Sequence, residues 1–168
     1  MKKRLLSLLL SLCFLGGVYY TLFYDTRYIL PKGFLSIDPS EISSLVIYFK
    51  DQPYGFDKED INWKLSSPYV KNIDQWSIEN FLRNLCMIPV TRKISENVEG
   101  AEKFGLKRPE VRINLTYGSE KKNMSVMLGN DNESKTSTYA KRGGIAEIVL
   151  LGKVIKEDVI NIIKRVDI

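Results

Sequence analysis

The chain has 168 residues, a formal net charge of +5 and no histidine. It therefore lacks the commonest general base and the commonest metal ligand, and its two cysteines are too few for a zinc site built on cysteine. Three of its 25 basic residues precede an apolar N-terminal segment, which leaves 22 basic against 20 acidic residues elsewhere. This near balance predicts no cluster of basic residues that would bind nucleic acid, so we expect no nucleic-acid partner. From the missing histidine and the few cysteines we expect no metal, and we expect no cofactor.

The N-terminal segment Leu5–Tyr24 is apolar and uncharged. As a helix of about 20 residues it would span about 30 Å, the thickness of a bilayer's hydrocarbon core. A cleaved signal peptide has a shorter apolar core and small residues at its cleavage site, and a lipoprotein signal needs a small residue where Leu12 precedes Cys13. The pattern favours a retained signal-anchor over residues 1–24, with cleavage and lipidation as the alternatives.

The charges and aromatic residues that flank this segment predict its orientation. Basic residues precede it, namely Lys2, Lys3 and Arg4. Cytoplasmic flanks of membrane spans are enriched in such residues, so we expect a cytoplasmic N-terminus. Aromatic side chains collect at its other end, namely Tyr19, Tyr20, Phe23 and Tyr24. We expect them to lie at the outer interface of the cell membrane, with the rest of the chain on the periplasmic or extracytoplasmic side.

Residues 25–36 are predicted to be a stalk, because polar residues are followed by the breakers Pro31 and Gly33. Residues 37–168 then read as one domain, which is long enough for a single buried core.

The first part of this domain is predicted to be a pair of strands and a hairpin. Leu45–Phe49 is a β-prone apolar run, and Pro53–Gly55 is expected to end it. A turn is expected over Asp57–Asp60. The following residues alternate, with three apolar side chains predicted on one face, namely Ile61, Trp63 and Leu65.

An amphipathic helix follows Asp74, a residue suited to the N-cap. Its apolar stripe has helical spacing and consists of Ile78, Phe81, Leu82, Leu85 and Ile88. Pro89 should stop the helix, and Cys86 is expected to be a small core residue. Trp63 is expected in the core, which leaves Trp76 as the predicted partner-binding residue, since tryptophan is enriched at binding hot spots.

The second half of the domain has the strongest β pattern. Gly105 is expected to close a helical turn, and alternating residues from Val111 to Leu151 predict an antiparallel meander with turns at Gly118 and at Gly143-Gly144. A second amphipathic helix should follow Gly152 and pack on the sheet. The predicted fold class is α+β: a mainly antiparallel twisted sheet with a central and a C-terminal helix, preceded by one transmembrane helix.

Several landmarks in this order resemble the domain-of-unknown-function 4340 family. They comprise Lys58-Glu59-Asp60, Asn62–Leu65 with Pro68, Asp74, Phe81-Leu82, Leu85, Arg92, Phe104–Pro109, Leu128-Gly129, Tyr139 and Gly144. The resemblance covers about residues 37–155. It implies an extracytoplasmic domain of a membrane-anchored bacterial protein, in some relatives alongside ABC-transporter components linked to gliding motility. It brings no catalytic residues.

No other motif predicts chemistry. Asn130–Glu133 lacks the ligand spacing of a calcium loop, and Asp57, Glu59 and Asp60 are expected to be exposed. We therefore expect a non-enzymatic accessory or scaffold subunit that binds an integral-membrane protein. The alternatives are a lipid- or glycan-binding module at the membrane surface and, less favoured, a hydrolase that uses carboxylates.

Overall fold

The computed structural model describes residues 33–69, 71–95 and 101–166, which belong to one compact unit, Lys32–Ile168. The predicted anchor, its basic flank and its aromatic collar lie outside the described residues. Within those ranges, no helix is long and apolar enough to cross a membrane.

The core of the fold is a single antiparallel sheet of nine strands in the described part of the chain. The strands are β1 Ile42–Phe49, β2 Gln52–Glu59, β3 Asn62–Ser67, β4 Lys71–Asn72, β5 Val90–Ser95, β6 Val111–Tyr117, β7 Lys122–Asp131, β8 Ser137–Arg142 and β9 Ile148–Gly152. From edge to edge their order is β4-β3-β2-β1-β6-β7-β8-β9-β5. The predicted meander from β6 to β9 is therefore confirmed, since these four strands are neighbours in sequence order.

Among the described residues, which also include a 3-10 helix at Pro39–Glu41, two α-helices pack on one face of the sheet. They are α1, Gln75–Met87, and α2, Val154–Val166. α1 carries the chain from the edge strand β4 to the opposite edge strand β5. The helices run antiparallel, because Asn84 donates to Asp158 at 3.0 Å while Arg165 donates to Asp74 at 3.1 Å.

The main core lies between this sheet face and the helices. Both apolar stripes are buried, with Ile78, Phe81, Leu82 and Leu85 from α1 and Ile155, Val159, Ile162, Ile163 and Val166 from α2. Trp63 and Cys86 are buried in the same core, as predicted. The α+β class with a mainly antiparallel sheet, a central helix and a C-terminal helix is thus confirmed for the described residues.

The first hairpin differs from the prediction. Pro53–Gly55 does not end a strand but belongs to β2, whose partner β1 pairs Tyr48 with Pro53. The chain turns earlier, at Lys50 and Asp51, which adopt φ of 50° and 66°. Two successive left-handed residues match the twist of a two-residue hairpin. β3 pairs with β2 only from Gly55 onward, so Pro53 withholds no hydrogen bond from that neighbour.

The second hairpin also turns at a different place. β2 continues through Glu59, and Asp60 and Ile61 form the turn, with Asp60 at φ 56°. Ile61 is 78% exposed, so the prediction that it shares the buried face of Trp63 and Leu65 is wrong. Ile61 matches the alternating apolar positions 63 and 65 in the sequence, but it lies in the turn, one residue before β3 begins.

The chain enters this unit along the end of α1. Phe34 and Leu35, which lie within the predicted stalk, are buried in the main core. The Phe34 N–H donates to the Ile88 carbonyl at 2.8 Å. The first described residue, Gly33, is packed so closely that a Cβ there would lie 2.0 Å from the Cys86 carbonyl oxygen.

The segment 101–110 covers part of the opposite sheet face. Ala140 of β8 belongs to the main core, so its neighbour Tyr139 points to the other face, where its ring lies 4.5 Å from that of Phe104. Leu106 is buried there and lies outside the main core. The turn before it has Schellman hydrogen bonds, from Leu106 N–H to the Ala101 carbonyl and from Gly105 N–H to that of Glu102. The predicted turn closed by Gly105 is confirmed, with φ 70°.

This segment contacts β7 backbone to backbone. Asn130 N–H donates to the Phe104 carbonyl at 2.8 Å. A Cβ at Gly129 would lie 2.1 Å from that carbonyl oxygen, and one at Gly105 would lie 2.4 Å from Oδ1 of Asn130. Glycine is therefore required at both positions by close approach, and at Gly105 also by its positive φ.

A largely buried lysine ties α2 to the same end of the sheet. Lys156 Nζ lies 2.7 Å from a Glu110 carboxylate oxygen, 3.8 Å from Asp131 Oδ1 and 3.2 Å from the Gly129 carbonyl oxygen. Asp131 also accepts from the Thr138 hydroxyl at 2.8 Å. The ammonium is thus compensated on several sides, as a cation largely removed from water must be.

We predict that Gly105→Ala destabilises the protein more than the matched variant Gly118→Ala. Gly118 has φ 71° and open space around its Cα, so alanine there meets only the left-handed backbone penalty, about 1 kcal/mol. At Gly105 alanine adds the clash with Asn130, which should cost about 1–3 kcal/mol more. Denaturant midpoints of the full chain in detergent measure the difference, and equal losses would contradict the close packing described above.

Candidate partner-binding groove between the two helices

Trp76 is exposed because its neighbour takes the inward position at the start of α1. The Gln75 side-chain amide bonds to both backbone groups of Trp63: its oxygen accepts from the N–H, and its nitrogen donates to the carbonyl at 2.7 Å. The next residue then points outward, and the Trp76 side chain is 67% exposed. Trp76 is therefore an exposed aromatic side chain next to a fixed helix start.

Trp76 borders a groove of about 180 Å³ between the helices. The groove is lined by Trp76, Ser77, Asn80, Phe81, Asp158, Asn161, Ile162 and Arg165. We call this surface the helix groove. Its floor is apolar, from Phe81 and Ile162, and its rim carries two amides, a carboxylate and a guanidinium. Phe81 and Ile162 are nearly buried, so the indole of Trp76 is the main apolar surface that the groove exposes among its polar side chains.

Arg165 forms the end wall of the helix groove. Its guanidinium donates to Asp74 Oδ2 at 3.1 Å and to the Ser77 hydroxyl, which in turn donates to Asp74. Asp74 occupies the N-cap position, as predicted, but its carboxylate bonds side chains and makes no cap hydrogen bond. The Arg165 and Asp74 side chains are both more than half exposed, so the pair contributes at most about 1 kcal/mol. Its effect is to hold the Arg165 side chain in place.

A second groove of about 110 Å³ continues from the first on the other side of Arg165. It shares Ser77, Ile162 and Arg165 with the helix groove and extends toward β2 and β4 through Phe56 and Lys71. The two grooves form one shallow surface along the ends of the helices. Tryptophan and arginine, which flank its centre, are the residue types most enriched at binding hot spots.

Arg165 and Asp158 were not singled out in the sequence. Both lie on the side of α2 away from its apolar stripe, where charged residues are ordinary. Their meeting with Trp76 depends on the antiparallel packing of two helices that are about 70 residues apart in the chain. A periodicity within one helix gives no information about that pairing.

The other acidic and polar clusters have local partners. Asp57, Glu59 and Asp60 are exposed, as predicted, and Glu59 contacts Lys64. Asn132 is used within its own loop, where Oδ1 accepts from the N–H groups of Thr136 and Ser137 at 3.0 Å each. Among the described residues, no group of three or more His, Cys, Asp or Glu side chains is arranged to hold a metal ion.

A larger groove of about 410 Å³ lies on the other flank of α1. It is lined by Asp38, Pro39, Ser40, Lys58, Trp63, Glu79, Leu82, Arg83 and Met87. Charged residues of both signs surround it, and its one indole, that of Trp63, is buried in the core. This groove offers hydrogen-bonding groups around a small apolar patch.

Cys86 lies in α1 and is buried. Burial raises the pKa of the Cys86 thiol to about 11, and the negative charge of Asp38 adds to the shift. Because the thiolate is the nucleophile, this thiol is inert at neutral pH. Its place in the core agrees with the predicted structural role.

The described residues define an α+β domain whose exposed features are grooves beside its helices. The chain belongs to the family described as "Domain of unknown function (DUF4340)", whose model matches residues 63–162. The matched range starts at Trp63, so it includes the landmarks from Trp63 to Gly144 but not Lys58-Glu59-Asp60. No curated protein and no solved structure matches the chain.

We predict that Cys86 in a Cys13→Ser variant reacts with a soluble maleimide about 100-fold more slowly than an ordinary thiol at pH 8, since a pKa raised from 9.0 to about 11 depletes the thiolate by that factor. Unfolding should restore the ordinary rate. A thiol at the exposed position 79, in a Glu79→Cys/Cys86→Ala/Cys13→Ser variant, is the control on the same helix. Equal rates at the two positions would contradict the burial of Cys86.

Proposed function

We propose that this chain is a non-enzymatic, single-pass accessory or scaffold subunit of a membrane complex. In this proposal residues 1–24 anchor it in the cell membrane, with the N-terminus in the cytoplasm. The domain lies on the periplasmic or extracytoplasmic side and binds an integral-membrane protein through the helix groove. The anchor is supported by the uncharged apolar segment Leu5–Tyr24 and its basic flank.

The exposed indole of Trp76 carries the proposal for the groove. An indole has a large apolar surface, and leaving two thirds of it in water forgoes the stabilisation that burial gives. A binding partner would recover that stabilisation. Arg165, held by Asp74 and Ser77, stands at the other end of the groove and offers donors to a carboxylate or a carbonyl of the partner.

The class of partner follows from the location of the domain and from the family resemblance. A domain tethered by a short stalk meets the extracytoplasmic loops and helix ends of neighbouring membrane proteins most often. The resemblance to proteins found alongside ABC-transporter components makes a transporter or another envelope assembly the first complex to test.

A lipid- or glycan-binding module is the second candidate, and the groove of about 410 Å³ beside α1 is the observation that favours it. Its mixed charged groups and apolar patch suit a sugar or a lipid headgroup. Binding there would leave the helix groove free, so the substitution Trp76→Ala separates the two candidates.

We predict that a photo-crosslinking amino acid at Asn161, within the helix groove, captures an integral-membrane protein in cells. The substitution Trp76→Ala should abolish this adduct, since loss of an aromatic hot-spot residue costs about 2 kcal/mol or more, about 30-fold in affinity. The control position is Glu120, in the exposed turn between β6 and β7. Mass spectrometry of the adduct identifies the partner.

Two results would contradict this function. The first is a set of adducts that is the same at Asn161 and Glu120. The second is an Asn161 adduct that persists unchanged with Trp76→Ala, while the variant protein keeps the denaturation midpoint of the parent. Binding of a glycan or lipid to the Trp76→Ala protein with unchanged affinity would favour the second candidate.

A further inference from the structure

Three exposed apolar side chains lie close to the point where the chain enters the described domain. Met87 is 47% exposed, and its Cα would be 2.6 Å from a Cβ placed at Gly33. Val90 and Ile145 are 36% and 38% exposed, and both line a groove of about 350 Å³ that also contains Gly33. These apolar residues come from the end of α1, from the edge strand β5 and from the loop after β8, so only the fold brings them together.

The same groove carries positive charge. Arg142 lines it, with its guanidinium 5.6 Å from the centre of the Phe34 ring. Lys93 lines it as well, and its ammonium lies 2.7 Å from a carboxylate oxygen of Glu147, the acidic residue among the lining residues. Lys93 and Glu147 thus form an ion pair, and Arg142 is the other charged residue that lines the groove. We call Val90, Ile145, Lys93 and Arg142 the entry surface.

The length of chain before Gly33 limits what lies opposite this surface. Eight residues, 25–32, separate the end of the apolar segment at Tyr24 from Gly33. Even when fully extended, eight residues span at most about 28 Å. If residues 1–24 are in the membrane, Gly33 is therefore within about 28 Å of the bilayer surface, where apolar side chains and cations both find partners.

From these observations we infer that the entry surface is a lipid-contact site, which rests on the headgroup region of the bilayer. This inference depends on the membrane anchor of the proposed function but not on the helix groove. The ligand is an anionic lipid headgroup together with the adjoining acyl carbons. Val90 and Ile145 enter the interface, and Arg142 faces the phosphates. The contact fixes the orientation of the domain on the membrane.

The test uses the full chain reconstituted into vesicles of phosphatidylcholine and phosphatidylglycerol that contain lipids with a nitroxide on the headgroup. Val90→Cys and Ile145→Cys, each in a Cys13→Ser background, are labelled with an environment-sensitive fluorophore. Ile61→Cys is the matched control, because Ile61 is also an exposed apolar residue. It lies in the turn before β3, which is five strands from β8 in the sheet, or about 24 Å.

We expect a blue shift of the emission and quenching by the nitroxide at positions 90 and 145, and neither at position 61. Vesicles without phosphatidylglycerol should give weaker quenching, because Arg142 then loses its anionic partner. Equal emission and equal quenching at all three positions overturn the inference. Absence of quenching at all three positions also overturns the inference, even where a second protein covers the surface.

Extraction with alkaline carbonate separates this inference from the proposed function. Protein that stays in the vesicles but shows no quenching at positions 90 and 145 refutes the lipid contact alone. Protein that is extracted refutes the anchor, and the lipid contact with it. The variant Trp76→Ala should leave the quenching unchanged, since it alters the other end of α1.

Discussion

The packing of α1 across one face of the sheet is the contact on which the other features depend. β4 and β5 are the two edges of the sheet but neighbours in sequence, so the helix between them must traverse the face that its apolar stripe covers. This places Trp76 at one end of α1 and the Gly33 region at the other. The helix groove and the entry surface thus lie at opposite ends of one rigid helix, about 16 Å apart along its axis.

Much of this fold follows from the sequence, because burial imposes periodicity. The alternation in β6 and the stripe of α1 are each produced by one buried face, so they are visible in a single segment. The turns at Lys50-Asp51 and Asp60-Ile61 are not visible in a single segment, since lysine and isoleucine are not typical turn residues. The backbone conformations at these turns are imposed by the pairing of the flanking strands. Trp76 could be named from its residue type, whereas Arg165 joins it only through tertiary packing.

Five of the family landmarks meet in one structural element of the described chain. Phe104, Gly105 and Leu106 pack on Gly129 and stack against Tyr139, on the sheet face opposite to the helices. Nothing in this contact is chemically reactive. In this chain these landmarks therefore serve to cover the second face of the sheet.

The bond between Gln75 and the backbone of Trp63 has a consequence for recognition. A long side chain on a fraying helix end samples many positions, and binding must then restrict them at an entropic cost. Here both polar atoms of the Gln75 side-chain amide bond to the backbone of Trp63 in β3, the strand next to the edge strand β4. The first turn of α1, and with it the backbone of Trp76, is therefore held before any encounter. For Trp76 itself, the two side-chain torsions of the indole remain to be ordered. The entropic cost of ordering this backbone is thus met during folding, which would favour the affinity of a partner at the proposed groove.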